Sequence, residues 1–164
     1  MDDPLLDPAV RASLQALAVA HEVLPCDPAL ADTAAFCEHY GFALEQAANT
    51  ILVASKKVDP PRFCACVVLG TTRLDVNRKV SELMGVRRLS FADAETTTEV
   101  TGMQIGGVTA FGIAALPVYV DGAVLRQPRV VMGGGNRTSK LLLDPNELTK
   151  LPNVVVVDGL ANPR

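Results

Sequence analysis

The sequence predicts a single α/β domain in which helices pack around one mixed β-sheet. The chain has 164 residues, 49% of them hydrophobic, and a chain of this size buries about two thirds of its unfolded surface in one core. Its strand and helix signals neither alternate regularly, as in a doubly wound parallel sheet, nor separate into two blocks. No linker, repeat or low-complexity segment divides them. We therefore expect one domain over 1–164, with residues 1–20 as an N-terminal helical extension.

The first third of the chain contains helix and strand signals in turn. Val10, Leu14 and Leu17 have the spacing of one helix face. Asp32 is a favourable residue at a helix start, and Gly41 is a favourable residue at a helix end. The predicted elements are helices over 8–17, 33–40 and 43–48, an edge strand over 21–25, and a strand over 50–53.

The middle of the chain carries the clearest strand signal. The continuous apolar run at 63–69, bounded by Pro61 and Gly70, is typical of a central strand covered on both faces. It predicts a hairpin with the strand at 51–53. Asp75 and Gly85 predict the two ends of a helix through residue 84. The remaining predicted elements are strands over 88–91, 118–120, 129–132, 141–143 and 154–157, and helices over 92–100 and 145–150.

Two glycine-rich loops, at 101–112 and 132–137, are the most informative local feature. Glycine permits positive φ and a close approach of a ligand to backbone N–H groups, so two such loops predict one pocket. The alternative for the first loop is a plain tight turn without a ligand. The alternative for basic residues in or after the second loop is that they are solvated and bind nothing. Candidate donors to a carbonyl oxygen or carboxylate are Gly106, Gly107, Val108 and Thr109, whose hydroxyl lies beside them. Candidates for a second pocket wall are Gly133, Gly134, Asn136 and Arg137; Arg137 and Lys140 are placed to meet a phosphate.

Common catalytic and cofactor signatures are missing from the sequence. No Lys-Ser/Thr pair follows the first loop, as a P-loop requires, and no strand precedes it, as a dinucleotide fingerprint requires. Cys64 and Cys66 could form a zinc site with His21 or His39, but a C-x-C on an apolar strand is more often core packing. No serine-nucleophile signature is present. We predict no metal, no nucleotide cofactor and no covalent intermediate.

Charge and hydropathy restrict the partners. The net charge of −3 argues against a broadly basic DNA-binding surface. The N-terminus is acidic, where a secretory signal would be basic, and no apolar run reaches the roughly 18 residues that cross a bilayer. We expect a cytoplasmic protein with neither a membrane nor DNA as its partner.

Taken in order, several segments resemble the YbaK-like family of aminoacyl-tRNA deacylases, which is related to the editing domain inserted in bacterial prolyl-tRNA synthetases. The resemblance extends from about residue 21 to residue 160. It depends on these segments of the sequence: 33–35, 46–51, 74–86, 102–112, 116–121, 134–137 and 143–148.

The resemblance implies the prolyl-tRNA synthetase editing-domain fold and a trans-acting hydrolase. Such an enzyme removes a wrongly attached amino acid from tRNA, so the aminoacyl-tRNA 3′ end and an aminoacyl-tRNA synthetase are the expected partners. The family's glycine loop falls on 106–110, where its backbone amides hold the substrate carbonyl, and its loop proline falls on Ala110. The family's lysine falls on Asn49. Lys79 matches a lysine of many members and, with Arg137, is expected to bind terminal phosphates.

The replacement of the family lysine leaves three functions open. Asn49 lacks one charge-assisted contact, worth about 1.5 to 3 kcal/mol. A hydrolase could still use backbone donors, with Asn49 orienting the 2′-hydroxyl or the water. A binding module that kept the pocket but lost turnover is the alternative, and a subfamily with a different acyl substrate is the third.

Overall fold

A computed structural model gives the architecture of the chain and describes residues 4–113 and 115–164. The helices are α1 (Pro8–Ala16), α2 (Thr33–Tyr40), α3 (Ser81–Met84), α4 (Ala94–Thr101) and α5 (Gly122–Leu125). The strands are β1 (Glu22–Pro25), β2 (Ala48–Ser55), β3 (Phe63–Leu69), β4 (Thr72–Leu74), β5 (Leu89–Phe91), β6 (Val118–Asp121), β7 (Val130–Gly133), β8 (Ser139–Leu143), β9 (Val154–Val157) and β10 (Ala161–Pro163). Short 3-10 helices lie at Pro28–Leu30, Leu44–Gln46 and Pro145–Lys150, and a π-helical turn at Val76–Val80 leads into α3.

The strands form a five-stranded sheet in the order β5-β2-β3-β6-β9, a three-stranded sheet in the order β1-β8-β7, and a β4-β10 pair. In the five-stranded sheet β2 runs antiparallel to β3 and β5, whereas β3, β6 and β9 are parallel to one another. The predicted mixed α/β fold and the predicted β2–β3 hairpin are therefore confirmed. The division of the strands into more than one sheet was not predicted.

Strand β3 lies at the centre of the five-stranded sheet, and its alternate residues contribute to two hydrophobic clusters. Ala65 and Val67 belong to the larger cluster, which also takes in residues of α1, β6, β7 and β8. Cys64 and Cys66 belong to a second cluster, formed with residues of the π-helical turn and α3. Coverage on both faces explains the continuous apolar run, because every side chain of such a strand is removed from water.

Capping residues at several helix ends behave as their types predict. The Asp7 carboxylate accepts from the N–H of Ala9 at 2.9 Å, and Asp93 accepts from Thr96 at 2.7 Å. Gly41 and Gly85 end α2 and α3 with φ of 79° and 65°. The aspartates supply acceptors for N–H groups at helix starts, and the N–H groups of the two glycines donate to carbonyl oxygens at helix ends.

The predicted helix over 43–48 is wrong. A 3-10 turn occupies Leu44–Gln46, and the strand begins at Ala48, which pairs with Leu69. The N–H of Gly70 donates to the carbonyl oxygen of Ala47 at 2.9 Å, which extends the pairing. Asn49 therefore lies inside strand β2 and not at a helix-to-strand junction.

No helix in the described part of the chain is both long and apolar enough to cross a membrane.

Candidate functional site

A cavity of about 390 Å³ lies between the start of α2, strand β2 and the two glycine-rich loops. Strands β7 and β8 and two residues of the α4 region complete its lining. Most of the wall is apolar, and the polar groups are few. A cavity with a mainly apolar lining and a few converging polar groups is the usual form of a small-ligand site.

Lys140 is the buried cation of this cavity. It lies on β8, is only 6% exposed, and its Nζ donates at 2.6 Å to the carbonyl oxygens of Ala31 and Gly106. The ring of Phe36 lies beneath the ammonium, with its centroid 5.4 Å away. Because an ammonium has three donors, one N–H remains for a ligand after these two bonds. Burial, which removes hydration from the charge, lowers the pKa of Lys140 below its ordinary value.

Asn49 lies on the cavity wall formed by β2. Its Oδ1 accepts a 2.6 Å hydrogen bond from the hydroxyl of Thr33, the first residue of α2. This bond fixes the side-chain amide, so its NH₂ group is the part left to meet a ligand. We expected Gly106, Gly107 and Thr109 to line one pocket with Asn49; Asn49 and Gly106 do line it, together with Val108, but Gly107 and Thr109 do not.

The first glycine loop offers fewer donors than the sequence suggested. The N–H of Gly107 donates to the carbonyl oxygen of Gln104 at 2.9 Å, and the N–H of Thr109 points at the sulfur of Met103 at 3.5 Å. Neither residue lines the cavity. Within the described residues, the N–H groups of Gly106 and Val108 have no hydrogen-bond partner. Of the four predicted donors at 106–109, only the amides of Gly106 and Val108 are thus without a partner; the N–H of Ile105, which also lines the cavity, has none among the described residues either.

Thr109 and Ala110 are core residues. Both are 0% exposed, and Ala110 packs in the larger hydrophobic cluster. The Thr109 hydroxyl has no hydrogen-bond partner among the described residues. The prediction that these two residues contact the substrate is corrected, because their side chains are enclosed by the domain interior.

The second glycine loop packs directly against the first. Gly133 lines the cavity, and a Cβ atom there would overlap the carbonyl oxygen of Gly107. The N–H of Gly135 donates to that same oxygen at 2.7 Å. Gly134 lies behind the wall, where its carbonyl oxygen accepts from the N–H of Asp7 at 3.1 Å. The glycines are needed because two backbone segments touch.

Asn136 and Arg137 serve the frame of the site. Asn136 donates from Nδ2 to the carbonyl oxygen of Leu5 at 2.9 Å. Arg137 donates to the carbonyl oxygens of Pro28 and Ile105 at 2.9 and 2.8 Å, and pairs with Asp32 at 3.2 Å. Its guanidinium therefore joins three segments, a role that matches its fixed fork of donors. Neither residue lines the cavity, contrary to expectation.

Lys79 lies outside the site. It belongs to the π-helical turn Val76–Val80, and its Cε is 4.0 Å from the position that a Cβ on Gly159 would take. It is not part of the cavity lining. The lysine that lines the cavity is Lys140. The sequence predicted that Lys140 meets a phosphate, with a solvated side chain as the alternative, and it did not predict that Lys140 is buried.

The cysteines pack as small hydrophobic residues. All four are buried thiols, and the sulfur atoms of Cys64 and Cys66 lie 3.9 Å apart. Burial raises the pKa of Cys26 and of Cys37 above the ordinary value, which keeps both thiols protonated. In the described residues no group of three or more His, Cys, Asp or Glu side chains is arranged to hold a metal ion.

Comparison with known proteins gives one family. The family model described as "Aminoacyl-tRNA editing domain" matches residues 27–151, a range that includes every residue of the cavity lining. A curated relative, the uncharacterized protein YwhH of Bacillus subtilis (strain 168), is 32% identical over 116 residues, which cover 65% of this chain and 73% of that protein.

Two solved structures have the same fold over nearly the whole chain. One, described as a "putative trans-editing enzyme for prolyl tRNA synthetase", is 26% identical with a TM-score of 0.77, covering 93% of this chain and 97% of that one. The other, the hypothetical protein APE2540, is 24% identical with a TM-score of 0.82, covering 94% and 99%. The second likeness supports the fold alone.

Proposed function

The chain belongs to the aminoacyl-tRNA editing domain family, and we propose that it hydrolyses the ester bond between a wrongly attached amino acid and the 3′ end of tRNA. The observation that carries this proposal is the arrangement of the cavity. Lys140, Gly106, Val108 and Asn49 all line it, and they bring to it an ammonium, two N–H groups without a partner and a side-chain amide.

These groups suit the charge that develops in ester hydrolysis. Water attacks the carbonyl carbon, and the carbonyl oxygen becomes an oxyanion that backbone N–H groups and a cation stabilise. The ester bond to the terminal ribose then breaks, and the ribose oxygen takes up a proton. The products are a free amino acid and a tRNA with an intact 3′ end. No side-chain nucleophile is required at any step.

Asn49 acts on the nucleophilic side of this reaction. Its Oδ1 is held by Thr33, so its NH₂ group can donate to the ribose 2′-hydroxyl or position the attacking water. Positioning of this kind lowers the barrier by removing the entropy cost of bringing the reactants together. The family lysine at this position is thereby replaced by two groups, the amide of Asn49 and the ammonium of Lys140.

A binding module of the same fold is the second candidate. Asp32 is the only carboxylate of the described cavity lining, and it is paired with Arg137, so no side chain there is a free general base. Such a pocket could hold an aminoacyl group without turnover. A hydrolase with a different acyl substrate is the third candidate.

A deacylation screen separates these candidates. The protein is incubated with a panel of misacylated tRNAs, and release of free amino acid is measured. The tRNA for proline is included first, because one structural neighbour is described as a "putative trans-editing enzyme for prolyl tRNA synthetase". We expect release from at least one pair, and a large loss with Lys140→Met. Retained binding of a non-hydrolysable aminoacyl-adenosine analogue, without release from any tRNA, would instead establish the binding module.

A further inference from the structure

A second groove on the surface is strongly basic. Its lining contains Lys56, Lys57, Arg62, Arg87 and Arg88, all of them exposed. These are a third of the 15 lysines and arginines of a chain whose net charge is −3. The positive charge is therefore concentrated at one place, as expected of a surface that binds a polyanion.

The cations of this basic groove are not neutralised by the protein. In the part of the chain that the structure describes, none of the five forms an ion pair, whereas Arg78, Arg126, Arg129, Arg137 and Lys150 each do. Asp59 lies on the same loop but is not part of the groove lining. Five like charges repel one another unless an anion is bound, so the arrangement favours an anionic ligand.

The backbone beneath the basic groove is fixed by hydrogen bonds. The N–H of Lys56 donates to the carbonyl oxygen of Arg88 at 2.9 Å. The N–H of Ser55 donates to the carbonyl oxygen of Arg62 at 2.8 Å, and the N–H of Arg62 donates back to the Ser55 hydroxyl at 2.7 Å. The cations are held on two paired segments, so the groove exists before a ligand arrives.

Strand β2 connects the basic groove to the cavity. Asn49 lies near one end of the strand, and Lys56 follows directly after the other end. Seven residues of extended chain span about 23 Å, which is the length of roughly seven stacked nucleotides at about 3.4 Å each. An amino acid held in the cavity thus places the paired stem of its tRNA, beyond the short single-stranded 3′ end, next to the basic groove.

An exposed aromatic ring lies between the two sites. Phe91 is 56% exposed and pairs with Val53, midway along β2. An exposed ring beside a basic track is a common platform for an unpaired base. Its position matches the single-stranded part of a tRNA that reaches from the groove to the cavity.

We propose that the basic groove binds the phosphate backbone of the tRNA acceptor stem. This inference depends on the proposed function, because it takes the occupant of the cavity to be the 3′ end of the same tRNA. The groove supplies affinity that is independent of base sequence and decreases with salt, while the cavity selects the amino acid. An anionic membrane surface is the competing ligand, and a concave groove in line with the cavity fits a nucleic acid better.

The test compares two arginine pairs of equal charge. Arg87→Gln with Arg88→Gln removes charge from the groove, and Arg126→Gln with Arg129→Gln removes the same charge elsewhere. Lys56→Gln with Lys57→Gln is a second groove variant. Binding of uncharged tRNA is measured from about 50 to 200 mM salt, and deacylation is measured on full misacylated tRNA and on a short aminoacyl-CCA fragment that lacks the stem.

We expect either groove variant to weaken tRNA binding about tenfold and to reduce the slope of log affinity against log salt by about one for each lost contact. Deacylation of the short fragment should not change. Equal weakening by the Arg126/Arg129 control, no weakening by either groove variant, or stronger binding to phosphatidylserine vesicles than to tRNA would overturn the proposal. Because the binding assay needs no turnover, a wild type that hydrolyses neither substrate would count against the proposed function and not against the groove.

Discussion

The ammonium of Lys140 donates a 2.6 Å hydrogen bond to the carbonyl oxygen of Gly106, so the buried cation and the first glycine loop hold each other in place. Gly106 has a φ of 90°, and a Cβ there would overlap the guanidinium of Arg137. The loop can take this path only with glycine, and the lysine then finds a carbonyl acceptor at the cavity wall. The hydrogen bond between Lys140 and Gly106 therefore places the ammonium beside the loop that carries the unpaired N–H groups.

Replacement of this cation should abolish most of the activity. Lys140→Met keeps the length and the packing of the side chain but removes its charge, so we expect deacylation to fall by about 10²- to 10³-fold, as for the loss of an oxyanion donor. Stability should change little, because the loss of the two hydrogen bonds to Ala31 and Gly106 is offset by the removal of a buried charge. Steady-state deacylation and urea unfolding check the two halves of this prediction.

Lys150→Met is the matched control for that variant. Its Nζ contacts the carbonyl oxygen of Ala18 and the carboxylate of Glu147, outside the cavity. Full deacylation by Lys140→Met, or an equal loss in Lys150→Met, would contradict the assignment.

The lowered pKa of Lys140 predicts two effects of pH. Because burial lowers this pKa from 10.5, the rate advantage of the wild type over Lys140→Met should disappear at a lower pH than for an exposed lysine. Between the lowered pKa and 10.5 the unfolded chain binds more protons than the folded one. The free energy of unfolding of the wild type, relative to Lys140→Met, should therefore rise with pH across that window. Rate ratios and urea unfolding at a series of pH values measure both; a rate ratio independent of pH up to 10.5 would count against a lowered pKa.

A lysine at position 49 should reduce activity. Asn49→Lys loses the 2.6 Å bond from Thr33 and adds a second cation to a cavity that already contains Lys140. We expect deacylation in the order wild type, Asn49→Ala and Asn49→Lys, with the fold retained. Assay of the three proteins on one substrate panel decides the point. The opposite result, with Asn49→Lys the fastest, would mean that the wild type is a weakened enzyme.

A methyl group at Gly107 should destabilise the fold strongly. The added Cβ would overlap the backbone carbonyl of Asn136, which cannot move away as a flexible side chain can. We expect Gly107→Ala to lower the free energy of unfolding by about 3 kcal/mol or more. Gly41→Ala is the control, since Gly41 has a positive φ of 79° but open space around it and should cost only about 1 to 2 kcal/mol. Equal losses in urea unfolding would show that the contact between the loops is unimportant.

Removal of the Thr109 hydroxyl should stabilise the protein. This group is buried and has no partner among the described residues, so it carries a desolvation cost of about 1 to 3 kcal/mol without a compensating bond. Thr109→Val keeps the shape, and we expect a higher unfolding temperature with unchanged deacylation. Thr109→Ser, which keeps the hydroxyl, is the comparison variant. If Thr109→Val lost activity while Thr109→Ser kept it, the hydroxyl would have a role in catalysis.

The sequence predicted those local structures that depend mainly on the residue types at one place in the chain, such as helix ends and an apolar strand. Gly41 and Gly85 end helices as their backbone freedom requires, and the apolar run of β3 has its observed bounds. The π-helical turn at Val76–Val80, where one longer α-helix was expected, depends on packing against the sheet. Likewise, β4 was not predicted because it is a short strand stabilised by distant pairing with β10.

The candidate site was predicted in outline but not in its charges. Both glycine loops contribute to one cavity, together with Asn49. The use of Gly107's N–H by Gln104 and the burial of Lys140 could not be read from spacing. Whether a strand lysine points to solvent or inward depends on which face of its sheet is covered, and that is decided by segments far away in the chain.

The direct contact between the two glycine loops should also couple their local unfolding. The N–H of Gly135 donates to Gly107, the N–H of Gln104 donates to Gly135, and the N–H of Arg137 donates to the Gln104 side chain, at 2.7, 3.2 and 3.2 Å. Breaking any one of these bonds exposes the others, so the amide hydrogens of Gln104, Gly135 and Arg137 should exchange with solvent at a common rate. A ligand that touches Gly106 alone should then protect the N–H of Gly135, which lies outside the cavity. Occupancy of the pocket becomes visible in a segment that the substrate never contacts.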